Sequence, residues 1–340
     1  MADTASPGSV TVRATGDRTH PSAPILVQGP PLGDAVRVPL GESGLEVFPL
    51  VLGGTEFGWH VDLKLAHRIL DTYRHSGGNA VVTSDGYSAG RSEHIIGRWL
   101  TKAACRDEMV VGVRVGGHPD HPGLGPVNLV RSVEGSLTRL GTDRIDLLYL
   151  DATTDSETAL EDTLATAEWL IEAGKVRALG TFGHTAAQLV EARILSSAGF
   201  PRLTVLDVAH NVLHRRDLEG DLHLVADAQG IAVTPSQALE HGFLSGTVRT
   251  REEAGRSVRG AQLAAAVTRR GTRTLRVMDR IARELSIPTS AVAIAWLLAQ
   301  RTVVAPIVSV YAVAHVEELV QGVGARLSRA QVADIEKAAS

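Results

Sequence analysis

Met109-Val110-Val111-Gly112-Val113-Arg114-Val115, then Val127 to Leu140, then Ile145-Asp146-Leu147-Leu148-Tyr149-Leu150: here two short apolar runs flank one amphipathic stretch. Such runs, separated by a helix-length segment with helical spacing, mark a strand–helix–strand unit with parallel strands and a right-handed crossover. The pattern continues outward on both sides. Before it lie Leu50-Val51-Leu52 with Leu63 to His75, and Ala80 to Thr83 with Ser92 to Ala103. After it, Thr158 to Ala173 follows the Ile145 run, then come Ala178 to Thr181 with Ala186 to Ala198, and Leu203 to Val208 with Leu218 to Gln229. Ile231 to Thr234 with Thr289 to Gln300, and Val303 to Val308 with Ala314 to Val323, complete the series. Eight such units are what a (β/α)8 TIM barrel needs to close, so the spacing predicts one α/β domain over residues 39–340 rather than two smaller ones. A hairpin is predicted before it, from Val36 to Leu40 and Leu45 to Phe48 around Gly41-Glu42-Ser43-Gly44, and two extra C-terminal helices at Arg273 to Glu284 and Ser328 to Ala339. Residues 1–38, with Pro7, Pro21, Pro24, Pro30 and Pro31 among small polar residues, read as a flexible extension, with a lid or docking arm as the alternative.

Composition narrows the function classes. With 34 Lys and Arg against 38 Asp and Glu, the net charge of −4 excludes the basic surface that nucleic acid or an anionic membrane would require. A lone cysteine, Cys105, permits no internal disulfide, and the opening residues lack the basic-then-apolar pattern of a secretory signal. No apolar run approaches the ~18 residues of a membrane span. The expected setting is the cytoplasm and the expected partner a small-molecule substrate, with the oligomeric state open.

Barrels of this kind do their chemistry at the carboxyl ends of the strands and in the loops that follow. The spacing places there Phe57 and Trp59, Asp85 and Tyr87, Arg114 and His118, Asp151, Phe182 and His184, His210, Ser236 and Gln237, Phe243, Ser309 and Tyr311. The aromatic residues among them predict a cavity suited to an apolar organic ligand. Metal is not expected. His118 and His121 are separated by a proline, and His210 and His214 lie in a loop where residues four apart need not face together. No phosphate-cradling Gly-rich motif, His-Glu-x-x-His or Gly-x-Ser-x-Gly occurs.

Several motifs, in order, resemble the aldo-keto reductases: Gly77-Gly78-Asn79-Ala80-Val81-Val82-Thr83-Ser84-Asp85-Gly86-Tyr87, Gly90-Arg91-Ser92-Glu93 with Ile96-Gly97, Ser136 to Leu140 with Thr142 to Leu147, and Gly174-Lys175-Val176-Arg177 before Gly180. The likeness spans residues 40–338. It implies a (β/α)8 barrel that binds NADPH across its mouth and reduces a carbonyl with a Tyr, Lys, Asp and His. Only the Tyr is matched, by Tyr87; the Asp, Lys and His positions hold Val82, Arg114 and Asp151. The positions that the resemblance assigns to NADPH have changed as well. The Ser-Asn pair for the nicotinamide carboxamide reads Phe182-Gly183, and its Gln partner aligns with Val208 to within a residue. The stacking aromatic becomes Ser236, and the phosphate-binding positions become Ser309-Val310-Tyr311 and Leu319. These changes lead us to expect no cofactor, with NADPH as the alternative.

Arg114 and Asp151, at the ends of the third and fourth strands, are expected to pair beside Tyr87. Such a cluster suits proton transfer, with Arg114 favouring a phenolate or enolate and Asp151 acting as base. Trp59, Phe57, Phe182, His184, His210 and Tyr311 are the candidate substrate contacts. The function expected is a cofactor-independent cyclisation, elimination or isomerisation of an apolar oxygenated molecule, compatible with small-molecule biosynthesis in specialised metabolism. A divergent NADPH-dependent carbonyl reductase and a non-catalytic binding or regulatory subunit are the alternatives.

Overall fold

The computed structural model describes residues 36–154, 157–257 and 259–340. Residues 1–35, most of the predicted extension, lie outside them. A two-stranded hairpin, β1 (Val38–Pro39) and β2 (Glu46–Val47), precedes eight parallel strands: β3 (Val51–Gly53), β4 (Ala80–Ser84), β5 (Val110–Val115), β6 (Ile145–Asp151), β7 (Val176–Phe182), β8 (Leu203–Asp207), β9 (Ala232–Val233) and β10 (Ile307–Ser309). They run side by side in chain order, with β10 returning beside β3. The Val304 and Ile307 N–H groups donate to the Val233 and Pro235 carbonyls at 2.9 and 2.8 Å, which closes the ring between β9 and β10. The expected (β/α)8 barrel is the architecture found.

Alternation along the strands divides the apolar residues into two cores. Val51, Val82, Leu147, Tyr149, Ala178, Val205 and Ile307 point inward and pack with Leu40, Leu45 and Val47 of the hairpin. The hairpin therefore plugs the amino-terminal end. Gly41 lies against the starts of β8 and β9 at φ +58°, and a Cβ there would fall 2.6 Å from the Thr204 carbonyl oxygen, so only glycine fits. The opposite strand faces pack under the helices α1 (Leu63–His75), α2 (Arg91–Ala103), α3 (Pro126–Leu140), α4 (Leu160–Glu172), α5 (Ala186–Ser197) and α6 (Asp221–Gln229).

After β9 the chain makes a long excursion through α7 (Arg251–Gly255), α8 (Gly260–Ala266) and α9 (Arg269–Leu285) before α10 (Thr289–Leu298). The two short helices of this excursion are not predicted from the sequence, because neither spans enough turns to show a period. Residues 290–297, most of α10, are buried on every face, which its uninterrupted apolar run requires. After β10, α11 (Val313–Gly324) and α12 (Arg329–Ala339) finish the fold. Among the described residues no single helix is long and apolar enough to cross a membrane.

Candidate active site

A cavity of about 340 Å³ opens at the carboxyl ends of the strands. Its inner end is formed by Val82, Tyr87, Arg114 and Phe182, its other end by Ser309, Tyr311, His315 and Glu318. The loop after β9, with Ser236, Gln237 and His241, forms a further wall.

Tyr87 is delivered by a sharp turn after β4. The Ser84 hydroxyl accepts the Gly86 N–H at 3.2 Å, and Ser88, Ala89 and Gly90 all take left-handed backbone conformations, with φ of 52°, 55° and 81°. A pair of non-glycine residues in that region is strained, and such strain is typical of loops that hold a reactive side chain.

Arg114 reaches inward from β5, and here the structure corrects the sequence-based expectation. Its carboxylate partner is Asp207 at the end of β8, not Asp151. Asp151 turns back on its own chain, its Oδ1 accepting the Thr153 N–H at 2.9 Å and the Thr153 hydroxyl. The reason is local. A carboxylate at a strand end is readily satisfied by the turn that follows, whereas Asp207 is fully buried and needs a cation. The Arg114 guanidinium also lies over the Phe182 ring, 3.7 Å from its centre. Burial works against the charge of Arg114, yet Asp207, with Tyr87 and Asp151 adding, outweighs it and raises the pKa. The Arg114 Nε has no hydrogen-bond partner, nor has Asp207 Oδ1.

Other expected contacts fall elsewhere. Phe57 is sealed in the core, and Trp59 is 67% exposed and stacks on His60 outside the cavity. His184 and His210 do not line it either: His184 contacts the Thr181 hydroxyl, and His210 is buried against Trp296. Burial holds the pKa of His210 down to about 4 and lowers that of His184. Both are buried interior residues. Tyr87, Arg114, Phe182, Ser236, Ser309, Tyr311 and Leu319 do meet in one place; Gly183 and Val208 are not part of the lining.

Sequence reasoning missed Asp207, Glu56, His241, Arg259, His315 and Glu318. Asp207 carried a signal, a lone carboxylate at an inward position of an apolar strand. Glu56 and Arg259 are 203 residues apart and form an ion pair across the cavity wall, which no local pattern announces.

The residues present do not suit NADPH held as the resemblance implies. At the carboxamide position stand the Phe182 ring, stacked under Arg114, and Gly183, so neither a hydroxyl nor an amide side chain is offered. The two arginines lining the cavity are committed to Asp207 and Glu56, while Glu318 adds a negative charge and accepts from the Ser290 hydroxyl at 3.1 Å. Among the described lining residues no uncommitted Lys or Arg is left for phosphate groups.

Fold, motifs and cavity position together define a barrel enzyme scaffold of one lineage. The family model for the aldo/keto reductase family matches residues 49–340, and the chain belongs to that family. It is 32% identical to an aldo-keto reductase of Emericella nidulans, over 86% of this chain and 79% of that protein. It is 28% identical to the norsolorinic acid reductase of Aspergillus flavus, over 94% and 84%, and 27% identical to an aryl-alcohol dehydrogenase of Pestalotiopsis microspora, over 87% and 79%.

Proposed function

We propose that this chain is an enzyme of carbonyl chemistry, drawing an oxygenated, largely apolar small molecule into the cavity with its carbonyl oxygen between the Tyr87 hydroxyl and the Arg114 guanidinium. The observation that carries this reading is Arg114, which lines the cavity beside Tyr87 and is held there by Asp207 and the Phe182 ring. A fixed cation of this kind stabilises negative charge developing on oxygen, and it does so strongly where water is excluded. Asp207 and the Phe182 ring hold the guanidinium in place, so little reorganisation accompanies the reaction. Tyr87 supplies the proton that neutralises that oxygen. Asp151, fixed by Thr153, is close enough to bias the charge of Arg114 but is not placed to act as the base. The cytoplasm is our proposed setting.

The relatives, named as reductases and an alcohol dehydrogenase, support an oxidoreductase that reduces a carbonyl; the family resemblance implies NADPH as its donor, held otherwise than at the substituted positions. They favour it over the cofactor-independent reaction expected from the sequence. A second reading, proton transfer without hydride transfer, is favoured by the arrangement of Arg114, Asp207 and Phe182 where the carboxamide would lie. Calorimetric titration with NADPH and NADP⁺, paired with NADPH oxidation in the presence of aromatic aldehydes, separates the two. Micromolar binding with turnover supports reduction; no binding at millimolar cofactor leaves proton transfer.

A further inference from the structure

The cavity holds an imidazole that neither the motifs nor the family positions assign. His241 lines it from the loop after β9, and β9 lies three places from β4, the strand that delivers Tyr87, around the ring of eight. The loop is built to hold this side chain. Gln237, Glu240 and His241 are non-glycine residues with left-handed backbones, at φ of 55°, 48° and 56°, followed by Gly242 at 102°. Buried Asn211 fixes it: its side-chain amide donates to the Gln237 carbonyl at 2.8 Å and to Glu240 Oε2 at 2.7 Å, while its oxygen accepts the Leu213 and His214 N–H groups at 2.8 and 2.9 Å. Among the described residues no protein group hydrogen-bonds the His241 ring.

We propose that His241 is the general base of this site, taking a proton from the carbon next to the substrate carbonyl while Tyr87 protonates the oxygen. This rests on the proton-transfer form of the reading above. The neutral imidazole lone pair takes the α-proton as the C–H bond breaks. That electron pair becomes the C=C bond, the carbonyl π pair moves to oxygen, and the Tyr87 O–H proton follows it, with Arg114 stabilising the charge in passage. The product is the enol, and reversal returns a proton to carbon from the imidazolium. The charged and titratable groups around His241 are Glu240, Arg259 and His214. Burial lowers its pKa, with Glu240 opposing and Arg259 and His214 reinforcing, so the ring is neutral and ready to accept near pH 7.

The test follows hydrogen–deuterium exchange at the α-carbons of 2-tetralone in D2O by NMR, beside NADPH oxidation with the same ketone. His241→Asn preserves the left-handed backbone and removes the base; it is expected to slow exchange by about 10²–10⁴-fold and abolish the rise in rate with pH on the acid side of neutrality. Imidazole added to His241→Gly should restore exchange, which a merely structural role would not allow. Exchange lost in Tyr87→Phe but kept within about threefold in His241→Asn overturns the assignment of His241 and leaves the carbonyl reading intact. No exchange by the unaltered protein overturns the assignment together with the proton-transfer form, and NADPH oxidation in that case establishes reduction instead.

Discussion

Arg114 shows how much one side chain can depend on a partner far along the chain. Its ion pair with Asp207 joins β5 to β8 across the barrel, with the carboxylate wholly out of water. Removing one partner of such a pair strands the other charge. Asp207→Asn is therefore expected to cost about 3–5 kcal/mol in urea denaturation, and the apolar double variant Arg114→Met/Asp207→Leu to recover most of that loss. A double variant no more stable than the single would mean the pair is not isolated from its surroundings. His210 gives a pH dependence of known sign. Its folded pKa, about 4, lies below the ordinary value of 6.5, so the unfolded chain binds the extra proton first. The stabilisation is complete above pH 6.5 and lost as the pH falls toward 4, by about 3 kcal/mol at most. His210→Gln should flatten that part of the stability profile, and an unchanged acid limb would place the transition elsewhere. Of these residues the sequence displayed Tyr87, whose motif surrounds it, and Arg114, which stands at the end of an apolar strand. It did not display the choice of Asp207 over Asp151, since both end apolar strands and only the folded barrel shows which one Arg114 reaches.

Strands and helices were far more legible than contacts. All eight strand–helix units are found in the expected order, the last strand starting at Ile307 rather than Val303, because apolar spacing records which face must be buried. The excursion between β9 and α10 was only partly visible: α9 has several turns of pattern, whereas α7 and α8 are too short to declare one. Packing between elements also explains a motif residue whose role the sequence leaves blank. Gly97 of α2 faces the last turn of α3, and a Cβ there would fall 2.7 Å from the Leu140 Cα and closer still to its carbonyl. Gly97→Ala improves helix propensity but is expected to destabilise by about 1–3 kcal/mol, because backbone cannot yield as a side-chain tip can. A thermal melt at or above that of the unaltered protein would show that α2 and α3 can move apart at little cost.

At the scale of the molecule, α12 seals the barrel's outer layer. Arg280 of α9 pairs with Asp334 at 2.6 Å, the Arg273 guanidinium donates to the Ala338 carbonyl at 2.8 Å, and Ile335 is fully buried. Ending the chain at Leu327 should lower the melting temperature by at least about 5 °C, as loss of a buried apolar helix face requires; an unchanged melt would make α12 an appendage. The sequence by itself determined the barrel, its parallel order and the end at which the cavity opens, because these follow from local apolar period, from the sterics of right-handed crossovers and from the loops at the strands' carboxyl ends. Tertiary structure alone decided which charges meet. It brought Arg114 to Asp207, Glu56 to Arg259, and His241 into a cavity with Tyr87, while sending Phe57, His184 and His210 into the interior. Periodicity reports which face of an element is buried, but the partner of a charge is set by distance across the closed ring, which no spacing along the chain encodes.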